Sequence, residues 1–243
     1  MIKLNSFADN RLIRGCIFCG GQAETRDHIP SKCLLDRPYP ENLIIVGCCY
    51  ECNQSFSSDE EYFACFIECV SCGSTDPVEL NRISISKTLQ NSPNLRNRIE
   101  ASIVKIDGKS VFTPEQDRIN NVMLKLAKGH VAYELDLIKR DKPNYFWCGL
   151  LTSLPEEYRI DFNAAHVQEN VGEVGSRSMQ RSFVTKLSIT DTNGKNKDIS
   201  VLINDWVDVQ DKRYRYIAID DKGIIIIRIV IDEFFACEIA WEN

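Results

Sequence analysis

Cys16-Ile-Phe-Cys19, Thr25-Arg-Asp-His28-Ile-Pro30 and Asn42-Leu-Ile-Ile-Val-Gly-Cys-Cys49-Tyr-Glu-Cys52-Asn53 are the three stretches whose reading decides the fold of the first third of the chain. Two CxxC pairs are the minimum pattern of a tetrahedral four-cysteine zinc site, because each pair forms a knuckle that turns two thiolates toward one ion. Cys48 competes with Cys49 for the third position. A two-residue spacing that repeats the first knuckle selects Cys49, so the expected structural zinc ligands are Cys16, Cys19, Cys49 and Cys52. The knuckles are separated by residues 20–48, more chain than a compact zinc ribbon needs, and this insert contains Asp27, His28 and Asn42.

A ββα unit accounts for the insert. Residues 24–28 and 42–47 would form its two strands and residues 53–70 its helix, on which Phe56, Phe63, Phe66, Ile67 and Val70 recur at helical spacing. Asp27 and Asn53 then converge on one Mg²⁺ or Mn²⁺, to which both offer hard oxygen ligands. His28 points to the other side of its strand, toward a scissile phosphate. A neutral imidazole can take a proton from water there while the metal stabilises the developing charge. Taken singly, Asp27 and His28 read as polar hairpin residues; their position between two knuckles is what favours a site.

These residues resemble the HNH, or ββα-metal (His-Me finger), endonuclease family, and in the arrangement CxxC–DH–N–CxxCN its zinc-stapled, endonuclease VII-like subgroup. The resemblance covers residues 12–63. It implies that Cys16, Cys19, Cys49 and Cys52 hold structural zinc, that Asp27 and Asn53 bind the catalytic cation, and that His28 is the general base. Asn42 would brace the loop through hydrogen bonds to backbone. Many members carry a His at the third motif position or one turn later, where this chain has Asn53 and Phe56. Of Asp59, Glu60 and Glu61, Glu60 lies on the same helix face as Asn53 and is the candidate extra ligand. The resemblance also implies DNA as the partner and settings such as restriction, recombination or bacterial defence, often beside an ATPase or sensor subunit.

Outward from this segment, the 243 residues are 44% hydrophobic and 26% charged, a composition that excludes disorder as the main state. No apolar run is long enough for a membrane span, and Met1–Asp9 lacks the pattern of a signal peptide, so the expected location is cytoplasmic. Nine of the eleven Cys fall before residue 73, which reads as metal binding rather than as a disulfide scaffold. The net charge of −6 excludes a protein that coats nucleic acid by bulk electrostatics, yet it is uneven. Residues 41–80 contain no Lys or Arg, whereas residues 81–140 contain eleven, among them Arg82, Lys87, Arg96, Arg98, Lys105, Lys109, Arg118, Lys125 and Lys128. These are candidate phosphate contacts as a group, and a solvated helical surface explains them equally well.

The expected architecture is α+β: an N-terminal zinc-bound ββα-metal unit over residues 1–76, a helical region over 77–142 and a mainly antiparallel β region over 143–243. Thr113-Pro-Glu-Gln116 reads as a helix start, with Thr113 as N-cap and Ile119, Val122, Met123, Leu126, His130 and Tyr133 as one face. Asn193-Gly194 and Asp220-Asp-Lys-Gly223 read as hairpin turns. His130 reads as a core histidine, His166 has no evident partner, and Cys65, Cys69 and Cys72 read as helix packing rather than as a second metal site. The competing functions are a non-catalytic zinc-dependent module that binds nucleic acid or protein, and a nuclease that cuts RNA.

Overall fold

β1 (Thr25–Ile29) and β2 (Ile44–Cys48) pair antiparallel, with Asp27 opposite Val46 and His28 opposite Ile45. The computed structural model describes residues 15–106, 109–173, 175–190, 192 and 194–242, so the Met1–Asp9 reading lies outside the described residues. α1 (Tyr50–Cys72) follows β2 at once. It starts three residues earlier than periodicity predicts because the Cys49 sulfur accepts the Cys52 N–H and caps the helix before its apolar face begins. Tyr62, Phe63, Phe66 and Ile67 are buried along that face. The helix ends at Gly73, whose left-handed φ of 67° turns the chain while its N–H bonds back to the last turn.

α2 (Ile83–Asn91) and α3 (Pro93–Ala101) flank Ser92 as the Asn-Ser-Pro break predicts. The segment read as helical then departs from that reading: β3 (Ile103–Ile106) and β4 (Lys109–Phe112) form a hairpin. α4 (Gln116–Leu135) follows, and its capping also differs from the expectation. The Thr113 hydroxyl donates to the Ser102 carbonyl, and it is the Glu115 carbonyl that accepts the first helical N–H groups, from Arg118 and Ile119.

Among the described residues the chain divides into two compact units, with the boundary between Leu126 and Ala127, inside α4. The first buries Ile29, Leu34, Val46, Phe63, Ile67, Leu89, Ile99, Val122 and Met123. The second is built on a five-stranded antiparallel sheet in the order β5 (Tyr145–Leu150), β12 (Phe235–Glu242), β11 (Ile224–Ile231), β10 (Tyr214–Asp221), β9 (Val207–Gln210). Lys222 and Gly223, both at positive φ, make the two-residue turn that the Asp-Asp-Lys-Gly stretch predicts. Phe162 of α5 (Glu156–Asn163) packs on Val230 and Ala236 of this sheet.

A second, three-stranded sheet orders β6 (His166–Gln168), β8 (Asn196–Asn204) and β7 (Phe183–Thr190), with the short α6 (Arg177–Arg181) between β6 and β7 in the chain. β7 and β8 pair across the Asn-Gly segment, of which Asn193 lies outside the described residues. The architecture is thus mixed α+β with antiparallel sheets. No helix of the described residues is long and apolar enough to cross a membrane.

Candidate active site

The four expected zinc ligands converge. The Cys16, Cys19, Cys49 and Cys52 sulfurs all lie within 4.8 Å of one another, and Cys19 and Cys49 are 3.7 Å apart. A tetrahedral zinc with Zn–S of about 2.3 Å sets its thiolates about 3.8 Å apart, so the cluster has the size to hold one zinc ion. Backbone folding makes the knuckles: the Cys16 N–H bonds to the Gly21 carbonyl, while the Gly21 and Cys52 N–H groups donate to the Cys19 and Cys49 sulfurs. Burial disfavours the Cys16 thiolate, but donation from the Cys49, Cys19 and Phe18 backbone outweighs it and brings the group down to about 6. Cys52 is pushed up by burial and by its neighbouring thiols. Such crowding is what a shared cation relieves. Cys48 is fully buried and held as a thiol, outside the cluster.

Asp27, 7% exposed, is held by Lys125, whose side chain is fully buried. The ammonium donates to Asp27 Oδ1 at 3.0 Å, to the Ser31 hydroxyl at 3.0 Å and to Glu60, and it lies 5.5 Å from the Phe56 ring centroid. It is also 2.8 Å from Asp27 Oδ2, but off the hydrogen-bonding direction, so that buried oxygen has electrostatic contact and no hydrogen bond. Lys125 is pushed above its ordinary value: burial lowers it, and the charges of Asp27 and Glu60 more than compensate. Of the three acidic residues singled out on α1, Glu60 therefore shares the Lys125 ammonium with Asp27, whereas Asp59 pairs with Arg118 and Asn121.

His28 and Asp27 line one cleft of about 1030 Å³, with Glu60 in its wall. Burial, then Lys32, then Lys125 lower the His28 value, which keeps the imidazole unprotonated at neutral pH. Cys33, in the same cleft, is pushed up to about 12, chiefly by burial, and remains a thiol rather than a nucleophile.

The remaining predicted residues are not brought into the cleft. Asn53 donates its amide nitrogen to the Thr25 hydroxyl, two residues before Asp27 on β1. Its carbonyl oxygen is thereby the group on offer. Asn42 is exposed in the turn before β2, and its side chain makes no hydrogen bond to another described residue, so the expected brace is not seen. As donors, Asp27 and Asn53 fit a hard divalent cation, since one Asp27 oxygen is buried without a hydrogen bond. The ammonium beside that oxygen already balances its charge.

Elsewhere, His130 is a core residue: its ring stacks on Tyr216 at 3.7 Å and its Nε2 is 2.8 Å from the Tyr214 hydroxyl. His166, for which sequence offered no partner, bonds Asp221 at 3.0 Å. Asp221 also accepts the Glu169 and Asn170 N–H groups, so the pair anchors a turn. Cys65 and Cys69 are buried thiols on α1, and no second metal-holding cluster occurs among the described residues. Lys125 and Ser31 are the site residues that sequence reasoning missed. The sequence places Lys125 among the candidate phosphate contacts, whereas the structure buries it; its spacing on α4, three residues from Val122, is the available signal. Comparison of the chain with protein-family models, curated proteins and solved structures returned no match.

Proposed function

We propose that this chain is a metal-dependent phosphodiester hydrolase of the HNH type that acts on DNA. The observation that carries the reading is the neighbouring pair Asp27–His28, which lines a cleft from within the β1–β2 hairpin that lies between the two halves of a four-cysteine cluster. In this reading His28, unprotonated at neutral pH, takes the proton of the attacking water as its oxygen bonds to phosphorus. Asp27 and Asn53 hold Mg²⁺ or Mn²⁺, which when bound supplies charge stabilisation at the phosphate and the leaving oxygen. Zinc at the cysteine cluster is structural in this reading: it would tie the segment before β1 to the start of α1 and supply folding free energy there.

The Lys125 ammonium on Asp27 favours a second reading, in which the scaffold binds nucleic acid without cutting it. One experiment decides between them. Supercoiled plasmid, single-stranded DNA and RNA are incubated with Mg²⁺ or Mn²⁺ and either wild type or His28→Ala, with zinc measured on both proteins. The expected result is plasmid cleavage by wild type alone and about one zinc per chain in each. Cleavage of RNA only would move the substrate class. Inactivity of both on all three, with zinc bound, would favour the binding module.

A further inference from the structure

The cleft beside His28 is lined by both cations and carboxylates. Asp27 and Glu60 are paired with Lys125 and Asp36 with Arg82, while Glu61 lines the cleft outside these pairs. The Lys32, Arg37 and Lys87 side chains line the same cavity with no carboxylate within ion-pairing distance among the described residues. Lys32 and Arg37 converge on the Tyr39 ring, at 5.9 and 5.6 Å from its centroid, which gathers two cations on one wall. Lys87 lines the same cavity from a different element, α2.

Arg82 adds a second, independent sign. Its side chain is 8% exposed and fixed by hydrogen bonds to Asp36 at 2.7 Å and to the Leu35 carbonyl at 2.6 Å. Its remaining guanidinium nitrogen, Nη1, is buried with no hydrogen-bond partner. A buried, oriented and unsatisfied donor in a cleft wall is costly unless an acceptor arrives.

Resting on the hydrolase reading of the same cleft, we infer that Lys32, Arg37 and Lys87, with Arg82 behind them, hold the phosphates flanking the one at His28, so that the cleft takes a single nucleic-acid strand. Cations from separate elements lining one cavity can track one extended backbone, as grooves for single strands do. A duplex presents its phosphates on a convex surface and is read by elements that protrude into its grooves.

The test measures binding, separately from cleavage. The full chain carrying His28→Ala is titrated with a fluorescent twelve-nucleotide DNA strand, the same sequence as RNA, and the corresponding duplex, at several salt concentrations. Lys32→Gln and Lys87→Gln are each added to that background, with the exposed Lys186→Gln as control. The single strand should bind more tightly than the duplex. Each cleft substitution should weaken it and flatten the slope of log K against log salt by about 0.7, whatever the base sequence, while Lys186→Gln leaves the slope unchanged. DNA and RNA arms that differ name the source of the strand.

Equal slopes for all variants, or tighter duplex binding, would overturn the inference. Failure of wild type to cut any substrate, with these slopes observed, would overturn the hydrolase reading and leave the strand-binding cleft in place.

Discussion

Lys125 holds its charge on a fully buried side chain, and its energetics follow from what surrounds it. The ammonium serves Asp27, Ser31 and Glu60 together, so its removal leaves two carboxylates facing each other in a buried pocket. Lys125→Met should cost roughly 3–5 kcal/mol, the usual penalty for stripping one partner from a buried ion pair, read as a lower midpoint in urea unfolding. An unchanged midpoint would mean that the Lys125 contacts make no net contribution to stability. His130 gives a prediction of the opposite kind. Burial, with a smaller push from Arg181, lowers it to about 3, whereas in the unfolded chain it titrates near 6.5. Below pH 6.5 the unfolded chain binds a proton that the folded one refuses, so stability falls as pH drops. The contribution is about 1.4 kcal/mol per pH unit until the folded value is reached. Unfolding free energies at pH 6.5 and 5 should differ by about 2 kcal/mol from this residue. His130→Phe, which keeps a ring against Tyr216, should flatten that dependence.

Elements explain why some of this was legible and some was not. The knuckles were readable because two ligands three apart in sequence are forced onto one ion by local backbone, and the spacing itself is the signal. The Lys222-Gly223 turn was readable for the same reason, since only a few residues accept two positive φ values in succession. The Lys125–Asp27 contact joins residues 98 apart, and nothing local announces it. Thr113 has the chemistry of a helix cap and spends its hydroxyl on the Ser102 carbonyl, a partner that exists only once the β3–β4 hairpin has formed. The knuckle also makes its own prediction. Because Cys49 both joins the cluster and caps α1, Cys49→Ser should lose the zinc and fray the start of that helix, seen as zinc content near zero and reduced helical circular dichroism. Chelation of wild type should lower its melting temperature in the same direction. A Cys49→Ser protein with full zinc content would refute the ligand set.

At the scale of the whole chain, the net charge of −6 and the cations of one cleft pull in opposite directions on a polyanion. Bulk repulsion disfavours coating of a duplex, while the local groups favour one strand passing His28. On the hydrolase reading proposed above, a chain with one such cleft among its described residues would have one water-activating histidine and would break one phosphodiester bond per encounter. The consequence is kinetic and visible on a gel. Supercoiled plasmid should pass first to nicked circles, with linear molecules arising later from a second, independent nick in the other strand. The ratio of nicked to linear product at early times should not change over a tenfold range of protein concentration. Linear product without a nicked precursor, growing with protein concentration, would mean that two chains act together across the duplex. The strand-holding cleft would then be half of a larger site, and sedimentation of the protein at the same concentrations would show the dimer.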